Sequence, residues 1–215
     1  STFPTEEKRK YMKKLLITGF EPFGNYKENS SWAVAEKVAA CGVCNANVMA
    51  RRLPVSFAGV TKALRDAVEE CSPDVIVMLG QSANIDYVKL ERIAINMMDS
   101  AKPDNDGYIP DEVPIYTDGA AALFTNTDIK ALRRAVEEQG IVAQVSNSAG
   151  LYVCNRTYYE ALRLCNERPG MKALFVHLPL YEGQPSAAED QPTMPLDDML
   201  KAVWGITTCI CRRRK

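Results

Sequence analysis

A chain of 215 residues, with 47% apolar and 25% charged residues and a formal net charge of -1, can bury a substantial core and reads as one domain. That balance excludes a strong field toward nucleic acid or an anionic membrane, and no uninterrupted apolar run approaches the roughly 20 residues that span a bilayer. Seven cysteines do not suit a complete disulfide framework, and Ser1 to Lys14 lacks the apolar stretch of a signal peptide, so a cytoplasmic protein with free thiols is expected.

Residues 1–12 read as an N-terminal extension and the basic run at 212–215 as a solvated tail, which leaves 13–211 as the single domain. Lys13 to Thr18 is a short apolar run ended by Gly19 and Pro22, a buried first strand. Ser31 is expected to cap a helix to about Ala40, with Val34 and Val38 on one face. Val48 to Val55 looks extended, and Ser56 opens a second helix through Val60, Leu64 and Val68. Asp74 to Gly80 is apolar enough for a central strand, and Val88 to Met97 reads as another, rich in β-branched residues.

Between Asp99 and Thr125 the prolines and glycines Pro103, Gly107, Pro110, Pro114 and Gly119 predict mostly loop, and loops of that length in compact domains are usually functional. Asn126 or Thr127 is expected to cap a helix to Gln139, with Gly140 ending it and Ile141 to Ser146 forming the next strand. Tyr158, Leu162 and Cys165 make a helical stripe, Lys172 to Leu178 is the last strand, and Leu196 to about Cys211 is a closing amphipathic helix with Met199, Leu200 and Val203 inward. Strands separated by helices throughout imply a mostly parallel twisted sheet covered on both faces, an α/β fold built as a three-layer α/β/α sandwich. In such sheets ligands bind outside the carboxyl ends of the strands.

Several familiar patterns fail on their chemistry. Gly19 to Gly24 has P-loop glycine spacing, but Asn25 and Tyr26 stand where Lys and Ser or Thr are needed. Cys41-Gly42-Val43-Cys44 is a CxxC past the end of a helix, where nothing lowers its thiol pKa. It has no second pair for zinc: Cys209 and Cys211 are too close together and there is one histidine, so no metal site is expected. The glycosylation-like triplets at Asn29 and Asn155 carry no meaning without secretion.

Cys154 differs from the other cysteines. It follows the small-residue turn Ser146 to Gly150 and starts a helix, whose N-terminal field favours a thiolate by roughly 0.3–1 kcal/mol and whose free N–H groups can hold an oxyanion. His177, the sole histidine, falls at the carboxyl end of the last strand, where a base for that cysteine belongs. Strand alternation puts Glu91 on the face of Ile93, Ile95 and Met97, and a carboxylate buried there needs a partner such as an imidazole. Cys154 is thus the expected nucleophile, His177 its base and Glu91 the group that orients the base.

These residues, in the order Glu, Cys, His, resemble those of the pyroglutamyl peptidase I family, the pyrrolidone-carboxyl peptidases. The resemblance runs from Leu15 to about Leu180. It rests on Thr18 to Gly24 (TGFEPFG), Gly80-Gln81, Glu91 to Asn96 (ERIAIN), Pro103 to Gly107 (PDNDG), Ser148 to Asn155 (SAGLYVCN) and Val176 to Pro179 (VHLP). It implies a cytosolic thiol exopeptidase, without cofactor, that removes N-terminal pyroglutamate from peptides through a thioester acyl-enzyme, and that is a monomer or a homo-oligomer. Peptides with N-terminal pyroglutamate are then the expected partners, with no nucleic acid and no membrane. By the same resemblance Phe20 and Phe23 pack on the substrate ring, Tyr152 and Val153 close the pocket and Gln81 contributes near the lactam. This chain departs from the family's pattern after Gln81, where Ser82 to Asp86 replaces a glycine-rich stretch ending in arginine, and before Pro103, where Ala101-Lys102 replaces Arg-Ile. Lys102 is expected to restore part of the missing charge. Two alternatives stay open at this level: a relative acting on another N-acyl or lactam substrate, and an inactive relative that binds peptide N-termini or a partner protein.

Overall fold

The computed structural model describes residues 12–212; the expected extension up to residue 11 and the tail from 213 lie outside the described residues. In chain order the elements are β1 (Lys13–Phe20), α1 (Ser30–Cys41), β2 (Ala46–Leu53), α2 (Gly59–Cys71), β3 (Val75–Gln81), β4 (Val88–Glu91), β5 (Ile93–Ile95), β6 (Ala122–Phe124), α3 (Ile129–Glu137), β7 (Ala143–Ser146), α4 (Val153–Glu167), β8 (Lys172–Leu178), β9 (Leu180–Tyr181), β10 (Thr193–Met194) and α5 (Leu196–Cys211). Six of these strands form one sheet in the order β2-β1-β3-β8-β4-β7. β2, β1, β3 and β8 run parallel, and β4 and β7 are parallel to each other but antiparallel to β8.

Alternation along the strands sorts the apolar side chains into two layers. Leu15, Ile17, Val77, Leu79, Leu90 and Val176 pack with Val34 of α1, Leu132 of α3 and Met199 and Val203 of α5. Leu16, Ile76, Met78 and Phe175 pack on the opposite face with Val60 and Leu64 of α2 and Tyr158 and Leu162 of α4. Each fully buried aliphatic or aromatic side chain of this kind is worth about 1.5–3 kcal/mol of transfer free energy. Helices on both faces of a mostly parallel sheet make the expected α/β/α sandwich.

Three local expectations are corrected. Val88 to Met97 is not one strand: the ladder stops at Glu91, the Arg92 N–H donates to the Ser146 carbonyl (2.8 Å) and its carbonyl accepts from the Thr125 N–H (2.8 Å). The chain then pairs β5 with β6 in a separate two-stranded sheet. Glu91 therefore does not share a face with Ile93, Ile95 and Met97; its burial comes from β8. The cap of α1 is Asn29, whose Oδ1 accepts from the Ser31 N–H (3.0 Å), while the Ser31 hydroxyl instead accepts from the Phe20 N–H (3.0 Å). The cap of α3 is Asp128, accepting from the Ala131 N–H (3.1 Å), and Asn126 ties the loop to β8 through Met171 and Ala173.

The long segment before α3 is irregular but anchored. Asn155 in the first turn of α4 accepts from the Ile95 N–H and donates to the Ile95 and Met97 carbonyls, at 2.8–3.0 Å. Asn96 holds Tyr116 and Gly119, and the Tyr159 hydroxyl donates to the Ala120 carbonyl (2.7 Å). Satisfied buried amides of this kind fix a loop without regular structure.

Burial of thiols gives the fold an alkaline limit. Desolvation holds Cys165 and Cys211 in their neutral form and pushes each up to about 11 from the ordinary 9.0. A group whose pKa is raised by folding stabilises the native state fully below the unfolded pKa, and the contribution is lost as pH rises through the folded value. Thermal unfolding is expected to shift to lower temperature between pH 9 and 11. The C165A/C211A variant should show a flatter decline, whereas an identical decline would mean these thiols do not set it.

Candidate active site

The carboxyl edge of the sheet is built by register. β8 places His177 one residue from its end, with Gly80 of β3 directly beside it on one side and Lys89 of β4 on the other. Glu91, two residues beyond Lys89 on the same strand face, pairs with Phe175. His177 Nδ1 lies 2.8 Å from Glu91 Oε1, with Glu91 fully buried and His177 only 6% exposed. A carboxylate only accepts, so this contact assigns the proton to Nδ1 and leaves Nε2 as the basic nitrogen. The Phe175 ring stands 4.9 Å from the imidazole, and the Tyr158 hydroxyl donates to the Glu91 carbonyl (2.9 Å).

Cys154 arrives from the other layer. Gly150, at φ 77°, ends a turn in which the Ser146 and Ser148 hydroxyls bond neighbouring backbone, and α4 then begins at Val153. A Cβ on Gly80 would lie 3.0 Å from Cys154 Sγ and 2.8 Å from two ring carbons of Phe175. The sulfur therefore occupies the space above Gly80, the strand neighbour of His177. Among the described residues no hydrogen bond links this sulfur to the imidazole. The helix-start field that favours a thiolate is outweighed at this sulfur: burial first, then the Glu91 charge, pushes the Cys154 thiol up to about 12, against the opposing influence of Lys89 and of its own backbone N–H.

A cavity of about 50 Å³ lies against the sulfur, lined by Phe20, Phe23, Asn29, Val55, Gln81, Tyr152, Val153 and Cys154. All five residues expected to bind substrate are in this lining. Gln81 Oε1 accepts from the Ser30 N–H and from Gln184 Nε2, both at 2.8 Å, which fixes the orientation of the amide and leaves the buried Gln81 Nε2 without a partner among the described residues. Tyr152 is held edge-on to Phe57 (ring centroids 5.2 Å apart) and donates its hydroxyl to the Pro103 carbonyl (2.9 Å). The Pro103 to Gly107 segment also grips the loop after β1: Asn105 Nδ2 donates to Glu21 Oε1 and to the Pro22 carbonyl.

A wider cavity of about 830 Å³ shares Phe23 and Tyr152 with this one and is lined further by Tyr26, Lys102, Asp190 and Gln191. Lys102 is exposed there, and the cation that reaches the buried cluster is Lys89, whose Nζ is 3.4 Å from Glu91 Oε1. Another cavity, of about 580 Å³, lies at the amino ends of β1 and β8, remote from these residues. Sequence reasoning missed Asn29, Val55, Gln184 and Lys89. Asn29 was legible as an N-cap signal; Gln184 and Lys89 act through register and tertiary approach, which no local pattern carries.

An α/β sandwich with cysteine, histidine and glutamate gathered at the carboxyl edge of its sheet is an arrangement suited to acyl transfer through a thiol, the chemistry of cysteine hydrolases. The family model described as pyroglutamyl peptidase matches residues 13–212. The pyrrolidone-carboxylate peptidase of Clavibacter michiganensis is 38% identical over 195 residues, 91% of each chain, and that of Thermococcus onnurineus is 40% identical over 191 residues, 88% of this chain and 94% of that one. The crystal structure of Bacillus amyloliquefaciens pyroglutamyl peptidase I superposes with a TM-score of 0.87 at 31% identity, covering 93% of this chain and 97% of the other. The chain belongs to the pyroglutamyl peptidase family.

Proposed function

We propose that this chain removes N-terminal pyroglutamate from peptides, with Cys154 as nucleophile, His177 as base and Glu91 orienting the base. The observation that carries the reading is the small aromatic cavity ending at Cys154 with the unpartnered Gln81 amide in its wall. A pyroglutamyl ring is flat and neutral and carries a lactam carbonyl. Phe20, Phe23, Tyr152 and Val153 offer apolar faces to it, and Gln81 Nε2 offers the carbonyl a donor. A free N-terminal ammonium would lose its hydration there without a counter-charge, which excludes ordinary peptide ends.

The chemistry proceeds in two stages. His177 Nε2 takes the Cys154 proton as the sulfur attacks the pyroglutamyl carbonyl, and backbone N–H groups at the start of α4 receive the oxyanion. Collapse breaks the amide C–N bond, with the imidazolium giving its proton to the departing amine and leaving a thioester. Water, deprotonated by the same imidazole, attacks the thioester carbonyl, and the C–S bond breaks to regenerate the thiol. This step requires the sulfur and the imidazole to come within hydrogen-bond reach when substrate binds, as catalytic hydrogen bonds commonly tighten in the complex. The wider cavity beyond Phe23 and Tyr152 accommodates the rest of the peptide. Its cellular setting on this reading is the cytoplasm, where free thiols persist.

The test offers pyroglutamyl, prolyl and glutamyl fluorogenic amides to wild type and Cys154→Ser. Turnover of the pyroglutamyl amide alone, abolished by the substitution, is the expected result. Turnover of a different acyl group points to drifted specificity, and absence of any turnover points to a binding protein; either overturns the assignment.

A further inference from the structure

Lys89 is the chemically notable group at this edge that the proposed mechanism does not use. It points to the same strand face as Glu91 and stands directly beside His177 in the β4–β8 register. Its side chain is 22% exposed, and its Nζ lies 3.4 Å from Glu91 Oε1, the oxygen that also meets His177 Nδ1. The other oxygen, Glu91 Oε2, is buried with no hydrogen-bond partner among the described residues. A fully buried carboxylate bonded through one oxygen is left under-compensated by a neutral imidazole, so its counter-charge has to come from elsewhere.

We propose that Lys89 is a positioning residue of the active site, dividing the negative charge of Glu91 with His177 and so easing formation of the Cys154 thiolate. The charged and titratable groups around it are Glu91 on its own strand and His177 on β8, with the Cys154 sulfur of α4 within its field; its partner on β7, Gln144, carries no charge. Glu91 opposes ionisation of the buried sulfur and Lys89 favours it. With Lys89 in place the carboxylate can still hold the imidazole in one tautomer, while less of its field reaches the sulfur. The exposed side of the ammonium faces water, which limits the effect to a modest one.

The inference rests on the reading of Cys154 as nucleophile, yet it is testable without any substrate. The rate of iodoacetamide alkylation of Cys154, followed by peptide mass analysis against pH, reports its thiolate directly. Lys89→Met keeps the stem and removes the charge; Lys89→Arg keeps the charge; Lys130→Met, at an exposed position of α3, serves as a control for general surface charge. Lys89→Met is expected to slow alkylation at pH 7.5 about 3- to 10-fold and to displace the rise of the rate with pH to higher pH, with Lys89→Arg close to wild type and Lys130→Met unchanged. A profile for Lys89→Met that coincides with wild type, or one that Lys89→Arg shares in full, overturns the proposal. If the alkylation effect is present while no pyroglutamyl amide is turned over, the Lys89 assignment stands and the substrate assignment fails.

Discussion

Gly80→Ala is expected to lower turnover at least about 100-fold while costing roughly 1–3 kcal/mol of stability, because the added methyl group has no room. Its Cβ would meet two carbons of the Phe175 ring at 2.8 Å and Cys154 Sγ at 3.0 Å. Phe175 packs against His177 on the same strand, so the ring can yield only by moving the imidazole, and the sulfur can yield only by leaving its place beside it. Urea unfolding and turnover of the single variant, compared with the G80A/C154A double variant, separate the two collisions. Deleting the sulfur should restore part of the lost stability, since one of the two obstructing groups is gone. A Gly80→Ala protein with wild-type stability and turnover would mean that the sulfur does not sit above that glycine.

Glu91→Gln is expected to reduce turnover by about 10³–10⁴, the scale seen when the group orienting a catalytic histidine loses its charge. The amide retains the shape but no longer stabilises a protonated ring, and it can hold the imidazole in the wrong tautomer by donating to Nδ1. The sulfur should respond in the opposite sense. Burial and the Glu91 charge together hold its pKa at about 12, and with the charge removed the thiol ionises at lower pH. Alkylation of Cys154 in alkaline buffer should therefore accelerate while hydrolysis collapses. If both quantities fell together, a general loss of structure would explain the variant better than electrostatics.

The main elements were readable because their apolar periodicities are strong. Lys172 to Leu178 and Leu196 to Cys211 occupy the expected residues, and β1 begins at Lys13 as its apolar run indicates. Val88 to Met97 misled because a run of β-branched residues looks the same whether it stays in one sheet or crosses into another. What stops it is the capture of the Arg92 backbone by Ser146 and Thr125, both more than 30 residues away, and no local pattern announces that. Glu91 is buried all the same, but by Phe175 and His177 rather than by the face it was expected to share. In the site, a helix start pointed to Cys154 and a strand end to His177, while Glu91 was picked by an alternation that does not hold. The 2.8 Å contact between the last two and the seat of the sulfur over Gly80 depend on strand order. Lys102, expected to restore charge near the missing arginine, is exposed and lines the wider cavity, while register brings a second lysine, Lys89, to the buried carboxylate, which no local pattern announces.

The position of β8 in the sheet also governs assembly during synthesis. Although late in the chain, it lies between β3 and β4, so the strands made before it form two groups, β2-β1-β3 and β4-β7, with an open seam between them. Until residues 172–178 are made, β3 and β4 lack the strand that pairs with both, and any early pairing of the two groups would leave backbone and apolar side chains open at that seam, an exposure that favours aggregation. The strand that closes the seam is also the one that delivers the imidazole, so a truncated translation product would carry the cysteine without its base.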